Sequence, residues 1–325
     1  MGSKRTGHVP KGKPGFRHGL PILLCLLASH AHAAAKLTII LDWFVNADHA
    51  ALFAAKYCGA YAKAGLDVTF VPPADPASPP RLLAAGQADL AVGYQTQLNM
   101  LDDNGLGLVR IGTLINSPLN TLMALGTSGI HSLADLKGKK IGVSVGGVEE
   151  ALLGAMLATA GLKLTDVQII QVNFQLLPAL MSHQLDAVMG GYRNYEVIEA
   201  QQRGLNPVVF YPEKSGVPPF DELILLARHA SVTDPRIARF LAALRQGTNC
   251  LLANPQSIWA DFIAEHPDLD NEVNQAAWAA TLPYLARDPA WLDLPRYAKF
   301  ETFLFSSGII SSKPEVDTFA VQVPK

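Results

Sequence analysis

From Leu37 onward, short apolar runs rich in β-branched residues alternate with stretches whose apolar residues recur at helical spacing. That alternation constrains the fold more than any other feature. Leu37–Leu41 (LTIIL) reads as a buried strand, His49–Lys63 as a helix ended by Gly65, and Leu66–Val71 as a second strand. A loop stiffened by Pro72, Pro73, Pro76, Pro79 and Pro80 follows, then strands at Ala88–Val92 and Val109–Leu114 with a helix at Gln97–Asp103 between them. A second set of strands is read at Thr121–Leu125, Lys140–Ser144, Val167–Val172, Ala187–Met189 and Val208–Tyr211, interleaved with helices at Glu149–Ala160 and Leu177–Ser182. Asp221–Arg228 reads as a returning strand. The rest is helical: Ile237–Leu252, Pro255–His266, Asn271–Leu282 and Arg296–Ser306.

Strand–helix–strand repeats build sheets covered by helices on both faces. The expected architecture is α/β: two lobes, each a doubly wound mixed sheet, joined by a hinge. Residues 37–120 and 228–325 are assigned to lobe 1 and 121–227 to lobe 2, with Thr121–Leu125 and Glu222–Ala227 as crossings between them. Ligands of such sheets bind beyond the carboxyl ends of the strands, which here places the site in the cleft between the lobes.

The amino terminus has a different character. Lys4, Arg5, Lys11, Lys13 and Arg17 precede an apolar run, Leu20–Ala28, too short to span a bilayer as a helix. Ala31-His32-Ala33 then places small residues at −3 and −1, so residues 1–33 are expected to be a secretory signal peptide cleaved after Ala33 and the chain to be periplasmic. Leu24 before Cys25 argues against a lipid anchor. Removing residues 1–33 takes away those five basic residues and no acidic ones, moving the formal net charge from −2 to −7. An acidic surface disfavours nucleic acid as a partner. Cys58 and Cys250 are then the remaining cysteines; they could pair in an oxidising compartment, but their distance in sequence says nothing of proximity, and two buried free thiols are the favoured expectation. No Walker loop, HExxH, CxxC or nucleophile elbow occurs, so no metal, no cofactor and no catalytic residue is expected.

Four segments carry a resemblance: Leu41-Asp42-Trp43-Phe44-Val45-Asn46-Ala47-Asp48-His49, Ala88–Gln95, Leu136–Gly142 and Asp186–Tyr192. From about Leu37 to its end, the chain resembles the binding proteins for the pyrimidine precursor of thiamine, whose relatives include a pyrimidine synthase. The resemblance implies a type 2 periplasmic-binding-protein fold. It also implies a ligand such as hydroxymethylpyrimidine or N-formyl-aminopyrimidine, and an inner-membrane permease and ATPase as partners. Other solute-binding proteins of the same fold, for an alkanesulfonate, nitrate or riboflavin, are the alternative. The synthase builds its product from pyridoxal phosphate and its own histidine, and here the sequence departs from it. Neither Lys nor His occurs from Gly93 to Leu98, where both would fall, and no Cys occurs at Pro218–Asp221, where its cysteine cluster would fall.

A planar aminopyrimidine needs aromatic faces and a hydrogen-bonding edge. Trp43 and Tyr94 sit just past strands at the expected cleft rim and either stack on the ligand or plug the lobe core. Asn46 and Gln95 offer a donor and an acceptor each, and His49 a donor; the alternatives are a helix cap, a solvated amide and an ordinary first-turn residue. Ser144, Gly146 and Gly147 join a strand to a helix whose first turn holds Glu149 and Glu150. Those charges disfavour a phosphate, so Ser144 and the nearby N–H groups are expected to meet a neutral polar group, or else form a plain turn. Tyr192, Asn194 and Glu196 follow a strand of the second lobe. Glu196 either accepts from the ligand's amine and ring nitrogen or is a helix-start carboxylate.

Overall fold

The computed structural model describes residues 1–8, 11–12 and 33–323. The apolar run and most of the processing site expected near Ala33 lie outside the described residues. Residues 1–33 and 34–325 form separate units, and the first has no helix or strand among its described residues.

The second unit contains two five-stranded sheets. The first runs β2-β1-β3-β10-β4, from β1 (Ala35–Ile40), β2 (Leu66–Val71), β3 (Leu90–Gly93), β4 (Leu108–Ile115) and β10 (Leu223–Arg228). The second runs β7-β6-β8-β5-β9, from β5 (Asn120–Ala124), β6 (Lys140–Val143), β7 (Gln168–Gln171), β8 (Ala187–Tyr192) and β9 (Val208–Phe210). In each sheet three strands pair in parallel, and one strand entering from the other lobe pairs antiparallel: β10 with β3 and β4, β5 with β8 and β9.

Alternation along the strands fills both faces of each sheet, as the period of two requires. Leu37 and Ile39 pack with Phe240 and Leu244 of the helix Pro235–Ala253, while Ile40 faces Leu83, Leu98 and Tyr297. In the second sheet Leu122 joins Ile141, Leu152 and Met156 on one face, and Met123 joins Leu176, Leu180 and Val188 on the other.

The lobe boundaries differ from the sequence reading at two places. β10 lies wholly in the first sheet, so the return to that lobe occurs before Leu223 rather than at Arg228. The helix Leu294–Ser306 is shared: Tyr297 packs under the first sheet, whereas Phe300 and Leu304 lie in the core of the second. The helix read over His49–Lys63 is broken by Gly59 (φ +68°) into Ala50–Tyr57 and Ala60–Lys63.

The expectation of two free thiols is overturned. Cys58 and Cys250 form a disulfide, their Cα atoms 6.7 Å apart. Gly247 makes this possible: a Cβ there would lie 2.4 Å from the Cα of Ala55, so only glycine lets the helices bearing the two cysteines come so close.

Candidate functional site

A cavity of about 900 Å³ opens between the two sheets, at the carboxyl ends of β1, β3 and β8. Aromatic side chains form part of its wall: Trp43, Phe44, Tyr94, Tyr192 and Tyr195. Carboxylates form another part: Asp42, Asp48, Glu149, Glu196 and Glu222. Among the described residues no group of three or more such side chains is placed to hold a metal ion.

The aromatic wall is anchored from behind. Asp42, just past β1, accepts from the Tyr94 hydroxyl at 3.0 Å and from His49 Nε2 at 2.9 Å. His49 Nδ1 in turn accepts from the Asn46 N–H at 3.3 Å, which assigns the ring proton to Nε2. Burial, then the charges of Asp42 and Glu149, push the Tyr94 hydroxyl well above its ordinary range, so it remains a donor. Trp43 meets Phe174 of the second lobe edge-to-face, ring centroids 4.6 Å apart, and Phe174 also touches Phe44 at 4.3 Å.

Burial dominates the carboxylates. It raises Asp48 to about 6, with the Asn194 hydrogen bond opposing. It raises Glu196 and Glu222 to about 7 against hydrogen bonds from backbone N–H groups, and it lifts Glu149 well above the usual carboxylate range. Such groups favour a partner that supplies protons or positive charge.

The structure brings together Trp43, Asn46, Tyr94, Tyr192 and Glu196 of the residues expected from sequence, all on the cavity wall. Asn46, however, spends its amide on the chain: Oδ1 accepts from the Asp48 N–H at 2.7 Å and Nδ2 donates to the Phe44 carbonyl at 3.1 Å, the cap of a short 3-10 turn. Glu196 begins the helix Glu196–Gln202 and accepts from the Tyr192 N–H at 2.7 Å through Oε2.

Three others lie behind the wall, and Gly146 lies elsewhere. His49 is fully buried against Asp42 and does not reach the cavity. Gln95 is also buried, its Oε1 accepting from the Asp221 N–H at 2.7 Å. Asn194 is spent on Asp48 and Thr281. Gly146 lines a separate small crevice with Arg81 and Met100.

The expectation that Ser144 and the N–H groups near Gly147 meet a ligand is corrected by the first turn of the helix Val148–Thr159. Glu149 takes the N–H groups of Ser144 (2.7 Å) and Val145 (2.6 Å), and Glu150 takes that of Gly147 (2.5 Å). The Ser144 hydroxyl donates to the Asn173 carbonyl. The two glutamates thus act as internal caps for the N–H groups of Ser144, Val145 and Gly147.

Sequence reasoning missed Asn120, Glu222, Phe174 and the cavity-facing roles of Asp48 and Glu149. The one available signal was Asp221-Glu222 opening an otherwise apolar strand.

A two-lobed α/β chain with a walled cleft at its strand ends is a periplasmic-binding-protein fold. The alkanesulfonate-binding protein SsuA of Xanthomonas axonopodis pv. citri, bound to MOPS, aligns with a TM-score of 0.70 over 90% of this chain and 99% of that one, at 17% identity. Within that fold the chain belongs to the NMT1/THI5-like family, which matches residues 46–258. A Haemophilus influenzae protein named for thiamine biosynthesis is 44% identical over 299 residues, 92% of this chain and 95% of that protein. The formylaminopyrimidine-binding protein of Halalkalibacterium halodurans is 34% identical over 230 residues, 70% of each chain. More distantly, a 4-amino-5-hydroxymethyl-2-methylpyrimidine phosphate synthase of Legionella pneumophila is 23% identical over 273 residues, 81% of this chain and 86% of that protein.

Proposed function

We propose that this chain is the substrate-binding component of an ATP-driven importer, and that it holds a thiamine pyrimidine precursor, hydroxymethylpyrimidine or its formylamino relative, between its lobes. The observation that carries the reading is the pairing of aromatic walls with buried carboxylates. Trp43, Tyr94 and Tyr192 offer faces to a planar ring, while Asp48, Glu149, Glu196 and Glu222 favour its amine and protonated ring nitrogen. The same carboxylates oppose a sulfonate, nitrate or phosphate. The kinship with a formylaminopyrimidine-binding protein supports the same ligand class.

The chain is a binding protein, not a synthase. Pyridoxal phosphate requires a free lysine amine and a cradle for its phosphate. Lys56, the lysine lining the cavity among the described residues, is ion-paired with Glu265. The N-terminus of the cavity-lining helix Val148–Thr159 is capped by its own glutamates, and the residues present do not fit the cofactor.

Export to the periplasm is supported by the amino-terminal segment and by the Cys58–Cys250 disulfide, a bond that persists in oxidising compartments. A permease and an ATPase in the inner membrane would receive the loaded, closed form.

The test is calorimetric titration of the whole protein with 4-amino-5-hydroxymethyl-2-methylpyrimidine, its formylamino relative and an alkanesulfonate. Saturable binding of a pyrimidine and none of the sulfonate is expected. Binding of the sulfonate alone would sink the reading.

A further inference from the structure

We propose that the ligand is captured first at the hinge, by Glu222 and Asn120, before the lobes close on it. The inference rests on the reading of the chain as a receptor for an amine-bearing pyrimidine. Both residues lie where the chain passes between sheets: Asn120 opens β5, and Glu222 immediately precedes β10. Glu222 Oε2 accepts from the N–H groups of Leu119 at 2.6 Å and Asn120 at 2.9 Å, tying one crossing to the other. Its neighbour Asp221 is held away from the cavity by Arg296, by the Tyr297 hydroxyl at 2.9 Å and by the Thr113 hydroxyl at 2.7 Å. The base of Glu222 is therefore fixed from both sides.

Two acceptors at this point are left with little to accept. Glu222 Oε1 meets the Tyr192 hydroxyl at a long 3.4 Å. Asn120 is 4% exposed, lines the cavity, and its side-chain oxygen is buried without a hydrogen-bond partner. A buried acceptor left unmet costs free energy, so this is a place where a donor-bearing ligand gains most. The group that fits is an amidine edge, two adjacent N–H donors, as on a 4-aminopyrimidine protonated at the neighbouring ring nitrogen. An alkylammonium lacks the planar pair of donors at fixed spacing, and an anion has none to offer.

The position matters as much as the chemistry. Residues at the axis of a hinge move least when lobes separate, so this edge is assembled in the open form as well as the closed one. Trp43 and Glu196 belong to different lobes and line the same cavity, so a separation of the lobes would part them. A ligand shifts an opening equilibrium only through its differential affinity for the two forms. Contacts at Glu222 and Asn120 therefore add affinity to both forms, and contacts out on the lobes drive closure.

Calorimetry and small-angle scattering of the whole protein with 4-amino-5-hydroxymethyl-2-methylpyrimidine test this. Glu222→Gln is expected to weaken binding roughly tenfold to a hundredfold, yet at saturating ligand it should contract to the wild-type radius of gyration. Asn120→Ala keeps its backbone N–H for Glu222 and deletes the unmet oxygen. It should unfold at the same or a higher temperature than wild type without ligand, and gain less in unfolding temperature when ligand is added. That opposite pair of shifts keeps the test decisive if Glu222→Gln folds poorly. Wild-type affinity in Asn120→Ala together with wild-type affinity in a folded Glu222→Gln overturns the inference. So does a variant that, once saturated, stays open. If the wild type itself binds no pyrimidine, the functional reading fails and this inference with it, a result distinguishable from either of those.

Discussion

Asn194 reaches across the cleft and donates to Asp48, Nδ2 to Oδ1, at 2.6 Å. Asn194 follows β8 in the second lobe, whereas Asp48 lies in the turn after β1 in the first. The same amide nitrogen meets the hydroxyl of Thr281 at 2.7 Å. Three buried polar groups from separate elements thus form a latch between lobes. Asn194→Ala should remove the cross-lobe donor to Asp48, leaving it the Thr281 hydroxyl at 3.3 Å, and bias the ligand-free chain toward the open form, raising its radius of gyration in solution scattering. An unchanged scattering curve would mean that the latch does not set the equilibrium.

The carboxylates of the cleft predict an unusual dependence on pH. Burial raises Asp48 to about 6 and Glu196 and Glu222 to about 7. In the unfolded chain they titrate in the ordinary carboxylate range, so across the window up to about pH 7 the folded chain holds more protons. Stability without ligand should therefore be greatest at the acidic end of that window, fall as pH rises through it, and level off above it. Thermal unfolding from about pH 5 to about pH 8 checks the sign. A flat or rising profile would mean that these groups stay solvated.

Much of this was legible before the structure. Two sheets with a cavity at the ends of β1, β3 and β8 follow from the alternation of β-branched runs and helices, and Trp43, Tyr94 and Tyr192 lie on its wall, where strand ends put them. What escaped depends on pairings remote in sequence. Glu222 is read as the start of an apolar strand, because nothing local says that its carboxylate meets Leu119 and Asn120. Ser144 and Gly147 look like free donors until Glu149 and Glu150 fold back on them. Cys58 and Cys250 are 192 residues apart, and only the glycine at 247 lets their helices close the gap.

That disulfide should matter to stability. It closes a long loop between the helix Ala50–Tyr57 and the helix Pro235–Ala253, and a crosslink of that kind restricts the unfolded chain, worth about 2–4 kcal/mol. Cys58→Ala with Cys250→Ala should lower the unfolding temperature by several degrees while ligand affinity holds, since neither residue lines the cavity. Peptide mapping without reductant should recover the two cysteines linked. Free thiols at both positions in protein from the oxidised compartment would count against the pairing.

Phe174 bridges the mouth of the cleft, touching Trp43 and Phe44 of the opposite lobe. Its loop is held by the Ser144 hydroxyl on the Asn173 carbonyl, with Asn173 at a left-handed φ of +48°. Phe174→Ala should speed ligand release in stopped-flow fluorescence, because the bridge lies across the mouth through which the ligand leaves. Trp43→Phe should bind better than Trp43→Ala, since a ring face is retained and stacking contributes about 0.5–1.5 kcal/mol. Equal affinities for the two Trp43 variants would show that the indole supplies packing alone.

Glu196 separates a pyrimidine ligand from the anions that other members of the fold accept. One oxygen, Oε2, is committed to the Tyr192 N–H at 2.7 Å, so a ligand has Oε1 to address. Losing a charge-assisted hydrogen bond costs about 1.5–3 kcal/mol. Glu196→Gln should therefore weaken an aminopyrimidine roughly tenfold to a hundredfold. Glutamine keeps the shape and its own oxygen for Tyr192, so the fold should hold. Removing a carboxylate whose titration burial raises to about 7 should also flatten the fall in stability toward pH 7, which ties this variant to the pH profile above. For an alkanesulfonate the sign reverses: a like charge is removed, and any weak binding should improve. Titration of both ligands into both proteins gives four measurements. If the pyrimidine binds wild type and Glu196→Gln equally well, Glu196 serves only to begin its helix, and the contact that reads the amine in the second lobe lies elsewhere.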